Sequence, residues 1–94
     1  MTTATATRPT RIADQLLTVG TRVAGSYMGS EFTGTIVRSR RHAINTKAIL
    51  LTIETDEPVD VFGNFRTDVH PAVNAYGIEE SSYTRDSGND VRLA

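Results

Sequence analysis

Between Ile36 and Lys47 the chain carries Arg38, Arg40, Arg41 and Lys47 with no acid among them, and His42 lies in the same stretch. A guanidinium presents planar, forked donors that match phosphate oxygens, and a lysine adds a point charge. The chemistry such a cluster offers is phosphate neutralisation. Arg38, Arg40, Arg41, His42 and Lys47 are therefore the candidate nucleic-acid contacts, gripping the backbone more than reading bases. Binding of that kind weakens steeply with salt. The plainer reading is a solvated hairpin end whose charges keep a β-turn soluble.

A second block has the opposite sign. Residues 54–60 hold Glu54, Asp56, Glu57 and Asp60 with no base. A divalent-cation loop would need ligand spacing and a glycine that this stretch lacks. An ordinary polar turn, with Asp and Pro supplying the turn chemistry, accounts for it better. His70 precedes Pro71 without the two or three further ligands a zinc site needs. Arg66 and Asp68 are close enough in sequence to pair locally. Tyr27 is the candidate ligand-facing aromatic, set against the plainer role of a half-buried strand tyrosine.

Several chemistries are excluded by composition. The chain of 94 residues has no cysteine, which removes disulfides, thiolate metal sites and a cysteine nucleophile. No Gly-x-Ser-x-Gly, Walker A, dinucleotide-binding or His-Glu-x-x-His pattern occurs. The expectation is a non-enzymatic protein without cofactor, metal or catalytic residues. Ten basic residues, nine of them arginine, against eleven acidic ones give a net charge of −1, which is not the balance of a strongly basic nucleic-acid binder. The run Ala48-Ile49-Leu50-Leu51, extended by Thr52-Ile53, falls far short of the roughly 20 apolar residues that cross a bilayer. No membrane association and a cytoplasmic location are expected.

These side chains must be held by short elements. Residues 1–9, a Thr/Ala run, read as a disordered tail. Thr10 caps a short helix in which Ile12 and Leu16 make an i, i+4 apolar pair. From Gly20 the period becomes two. Val23, Gly25 and Tyr27 alternate with polar neighbours in a first strand, followed by a turn at Met28-Gly29-Ser30. Phe32, Gly34 and Ile36 define a second strand that continues towards Arg40. Residues 42–47 turn the chain, and Ala48 to Glu54 form a strand buried on both sides. Asp56-Glu57-Pro58 reads as a further turn, leading to a fourth strand over 59–63. A short fifth strand falls near Asp68-Val69 or over 75–78. Residues 79–94 are a polar tail with a final edge strand at 91–93, so the folded domain spans 10–78. On this layout the basic and acidic blocks sit at opposite ends of strand 48–54, about 20 Å apart at roughly 3.3 Å per residue.

The run Gly20-Thr21-Arg22-Val23, with Gly25, Tyr27, Gly29 and Phe32-Thr33-Gly34-Thr35-Ile36-Val37, resembles the first hairpin of SH3-like small barrels of the Tudor and KOW kind. The likeness covers residues 20–63. It implies a mostly β, SH3-like five-stranded small barrel preceded by a short N-terminal helix, with polar flexible tails. Gly25 and Gly34 suit the bends of such a barrel. The resemblance implies a binding module, here one contacting nucleic-acid backbone through the basic hairpin tip. A protein-protein interaction module, or a small inhibitor or adaptor docking on a larger partner, stands almost level with it. A self-assembling structural subunit comes third.

Overall fold

The computed structural model describes residues 10–79 and 89–94. It is mostly β, with one short helix, α1 (Ala13–Leu16), and six strands: β1 (Arg22–Tyr27), β2 (Ser30–Arg41), β3 (Ile49–Val61), β4 (Asn64–Val69), β5 (Ala72–Val73) and β6 (Asp90–Leu93). The order in the sheet is β4-β3-β2-β1-β6, with β5 pairing β3, and every strand pairing is antiparallel. This is an open sheet, so the expected closed five-stranded barrel is corrected. Among the described residues, the isolated bridges Val73 to Glu79 and Ile78 to Asp90 run between its two margins.

The helix is one turn long and cannot persist alone. Thr10 does not cap it; Ile12 occupies the cap position without a side-chain hydrogen bond. Docking holds it instead. Ile12, Ala13 and Leu16 are buried, the Ile12 N–H donates to the Ala75 carbonyl at 2.8 Å, and the Ser39 hydroxyl donates to the Leu16 carbonyl at 2.6 Å. Inward-facing Val23, Phe32, Ile36, Ile49, Leu51, Ile53, Val59, Val69, Val73 and Val91 complete the core.

The β1–β2 and β3–β4 hairpins close through two-residue loops, Met28-Gly29 and Phe62-Gly63. All four loop residues have positive φ, the backbone that matches the twist of paired strands. Met28 is held there by Asn89, whose buried side-chain oxygen accepts the Met28 N–H at 2.8 Å. Gly25 and Gly34 have a different reason to be glycine. A Cβ on Gly25 would strike the Asp90 carbonyl, and one on Gly34 would strike the Glu54 carbonyl.

Two expectations for the middle of the chain are corrected. Asp56-Glu57-Pro58 is not a turn, because β3 runs through it as one strand of 13 residues. The β3–β4 register shifts between Glu54 and Val59, so Pro58 sits where no ladder N–H is required. The acids therefore lie along a strand and form no acidic tip. In β2 the register with β3 shifts between Ile36 and Arg38. Before this bulge Phe32, Gly34 and Ile36 are buried; after it Arg38 and Arg40 are exposed and Ser39 is half-buried. One extra residue, Val37, thus turns two arginines outward that strict alternation would have sent into the core.

The freed acid finds a partner across the sheet. Arg22 donates two hydrogen bonds to the Asp56 carboxylate at 2.8 and 2.6 Å, Thr33 donates a third at 2.7 Å, and Arg22 also reaches the Thr35 hydroxyl. The Arg22 hydrogen bond first, and that of Thr33 second, pull the Asp56 carboxyl down to about 2. A depressed carboxyl stabilises the fold at pH values above its unfolded pKa. Its contribution is lost as pH falls through about 2. Both partners are exposed, so the contribution is small. In an NMR titration Asp56 should show its midpoint near 2, and in Arg22→Gln it should return towards the ordinary 3.8.

Candidate binding groove

The five basic residues do not form one tip. They divide between two hollows, and one of them serves the turn. His42 Nδ1 accepts the N–H groups of Ile44 and Asn45 at 3.1 and 3.0 Å, so its ring caps the loop between β2 and β3. Arg41 and Lys47, at the ends of that loop, face a groove of about 640 Å³ together with Arg11, Thr46, Asn74, Ala75 and Tyr76. Arg38 and Arg40 line a separate hollow of about 270 Å³ further down the sheet. Tyr27 is half-buried and packs against the core.

The larger groove is assembled from three places in the chain. Arg11 stands just before α1, Arg41 to Lys47 turn from β2 towards β3, and residues 74–76 follow β5. Its polar groups are fixed by the fold. Arg41 donates to the Thr46 carbonyl at 3.1 Å, which orients the guanidinium. Asn74 Oδ1 accepts the N–H groups of Tyr76 and Ile78 at 2.8 and 3.2 Å. The amide oxygen is thereby engaged, and its NH₂ is left as a donor. Tyr76 contributes a ring that is 43% exposed. Three cations, a hydroxyl, an amide NH₂ and a phenol line this space, with no carboxylate or imidazole among the lining residues. Its size is within the range of small-ligand pockets.

A third hollow, of about 310 Å³, is lined by Glu31, Glu57 and Arg92 among others. There Arg92 reaches Glu31 at 3.5 Å and Asp90 at 3.6 Å, so its charge is already engaged. Among the described residues no three His, Cys, Asp or Glu side chains come together to hold a metal ion. No helix among the described residues is long and apolar enough to cross a membrane.

A family model described as a glyoxalase superfamily protein matches residues 1–93. The chain belongs to that family. Neither the curated proteins nor the solved structures contain a match to it. Membership corrects the resemblance to SH3-like barrels of the Tudor and KOW kind. It also corrects the functions built on that resemblance: nucleic-acid binding, a protein-protein interaction module or adaptor, and a self-assembling subunit. The resemblance arose because glycines spaced among β-branched residues satisfy any tightly paired antiparallel hairpin. In this glyoxalase superfamily chain Gly25 and Gly34 are explained by contact with the backbones of β6 and β3. Arg11, Asn74 and Tyr76 were not anticipated as site residues. A glyoxalase superfamily chain can be an enzyme or a non-enzyme.

Proposed function

We propose that this glyoxalase superfamily domain binds a small organic carboxylate in the groove between α1, the β2–β3 loop and the segment after β5. The lining of that groove carries the reading: Arg11, Arg41 and Lys47 converge on one space with no acid to neutralise them. A carboxylate would take the Arg41 fork, with Lys47 and Arg11 adding attraction. The flat or apolar body of the ligand would lie against Tyr76 and Ala75. Asn74 and Thr46 would read a second polar group. Family membership favours a small molecule over a macromolecule as the ligand.

The reading is of binding without turnover. A general base must lie within hydrogen-bond reach of the proton it removes; of the lining residues only Lys47 and Tyr76 are of a type that could serve, and in this reading both are given to binding, one to the ligand's charge and one to its body. Benzoate is a suitable probe, with benzyl alcohol as the uncharged control. Calorimetric titration should show benzoate binding and no heat from benzyl alcohol. Charge-assisted hydrogen bonds contribute roughly 1.5–3 kcal/mol each, so Arg41→Gln should weaken benzoate at least about tenfold. Lys47→Gln should weaken it less. Equal affinity for both probes, or an unchanged affinity in Arg41→Gln, would overturn the reading.

A further inference from the structure

The smaller hollow has an organisation of its own. On the outer face of the sheet Arg38 stands opposite Thr52, and Arg40 opposite Leu50. One strand further, the pairing of Ile53 with Val69 brings His70 beside Thr52. Thr52 Oγ1 and His70 Nδ1 are 3.3 Å apart, and His70 Nε2 lies 3.2 Å from Asp68 Oδ2. Asp68 is steadied from the other side by Arg66 at 3.4 Å.

An ionised carboxylate only accepts hydrogen bonds. The Nε2 of His70 therefore carries a proton towards Asp68, and Nδ1, beside Thr52, becomes a donor to an anion in the imidazolium form of the ring. The ring is oriented by a neighbour outside the hollow, while its other nitrogen and the Thr52 hydroxyl face into it. The side chains of Arg38 and Arg40 make no hydrogen bond or ion pair among the described residues. The hollow thus joins two uncommitted guanidiniums to a hydroxyl and an imidazole whose positions are set by the strand register.

We propose that Arg38, Arg40, Thr52 and His70 form a second anion site that takes a phosphoryl group of a small molecule. Residues two apart on a strand are about 6.6 Å apart, and neighbouring strands are separated by about 4.8 Å. Donors from Arg38 and Arg40 on β2, Thr52 on β3 and an imidazolium His70 just after β4 surround an anion with three or four oxygens better than a planar carboxylate, which one arginine fork satisfies. The site is separate from the carboxylate groove: the two share no lining residue.

The test is titration of the full chain with inorganic phosphate at low ionic strength, followed by calorimetry and by the ring-proton NMR signals of His70. Phosphate should bind and shift those signals. The double variant Arg38→Gln/Arg40→Gln should lose at least about tenfold in phosphate affinity while binding benzoate as before. Arg41→Gln should do the reverse. His70→Gln should also weaken phosphate. An unmoved His70 signal in the unaltered protein, or phosphate affinity unchanged in the double variant, would overturn the second site. Loss of benzoate binding alone would count against the groove and leave this site standing.

Discussion

Gly77→Ala should leave the protein largely unfolded in urea concentrations where the unaltered chain is still native. Gly77 has φ +78°, and a Cβ there would run into the Val91 carbonyl, with Ile12 Cδ1 at 3.3 Å behind it. Neither obstacle can yield easily. Val91 is fully packed in the core, and its N–H donates to the Gly77 carbonyl at 2.7 Å. The turn around Gly77 is fixed by Asn74, which accepts two of its backbone N–H groups. The left-handed backbone alone costs a side chain about 1–2 kcal/mol, and displacing β6 adds loss of core packing. A total above about 3 kcal/mol would consume much of the 5–15 kcal/mol that stabilises an ordinary domain. Gly29→Ala is the matched control, because Gly29 has φ +87° but open space around it. Equal urea midpoints for the two variants would show that β6 moves freely and that the contact with Val91 does not hold it.

Leu16→Ala should lower stability by about 2–5 kcal/mol, the range for emptying a buried leucine site. Leu16 is completely buried and is the inward anchor of a helix too short to form by itself. Its removal leaves a cavity and also loosens the backbone on which Arg11 depends. The groove should therefore respond as well: benzoate affinity should fall, although Leu16 does not line it. Leu16→Met, which nearly conserves volume, should cost less than about 1.5 kcal/mol. Urea denaturation of the three proteins measures the first effect, and calorimetry measures the second. A loss below about 1 kcal/mol in the alanine variant would mean that the helix contributes little to the sheet it covers.

The parts of this fold governed by local alternation were legible. Val23, Phe32, Ile36, Ile49, Leu51 and Ile53 fall on the buried face that a period of two assigns them, and Ile12 with Leu16 marks the docked helix. What alternation could not show are the places where two strands fall out of step. Asp56-Glu57-Pro58 has turn chemistry, yet a register break lets the strand pass through it, and Arg22 takes up the acid. The Arg38–Lys47 block looked like one basic tip because sequence proximity hides which face each side chain occupies. The bulge divides it, and the β2–β3 loop keeps His42 for its own backbone. Thr52, His70 and Asp68 are distant in sequence or unremarkable alone, and only the pairing of β3 with β4 unites them. Arg11, Asn74 and Tyr76 likewise meet Arg41 only because β5 lies beside the start of β3.

The extra residue at Val37 bears on how this protein can change over evolutionary time. Val37 is 44% exposed, and its own side chain is replaceable. Its place in the count is dispensable for the facing of the strand as well. Deleting it would let Ile36 and Ser39 share the inner face by plain alternation, with Arg38 and Arg40 still outward. Amino-acid replacements on the outer face of β2 are therefore cheap and can retune a ligand site, and loss of the bulge residue would remove the local twist of the bulge without turning the arginines inward. Descendants of this chain should vary in what the outer face of β2 carries, and can lose Val37, while keeping residues at Ile36 and Ser39 that suit the inner face.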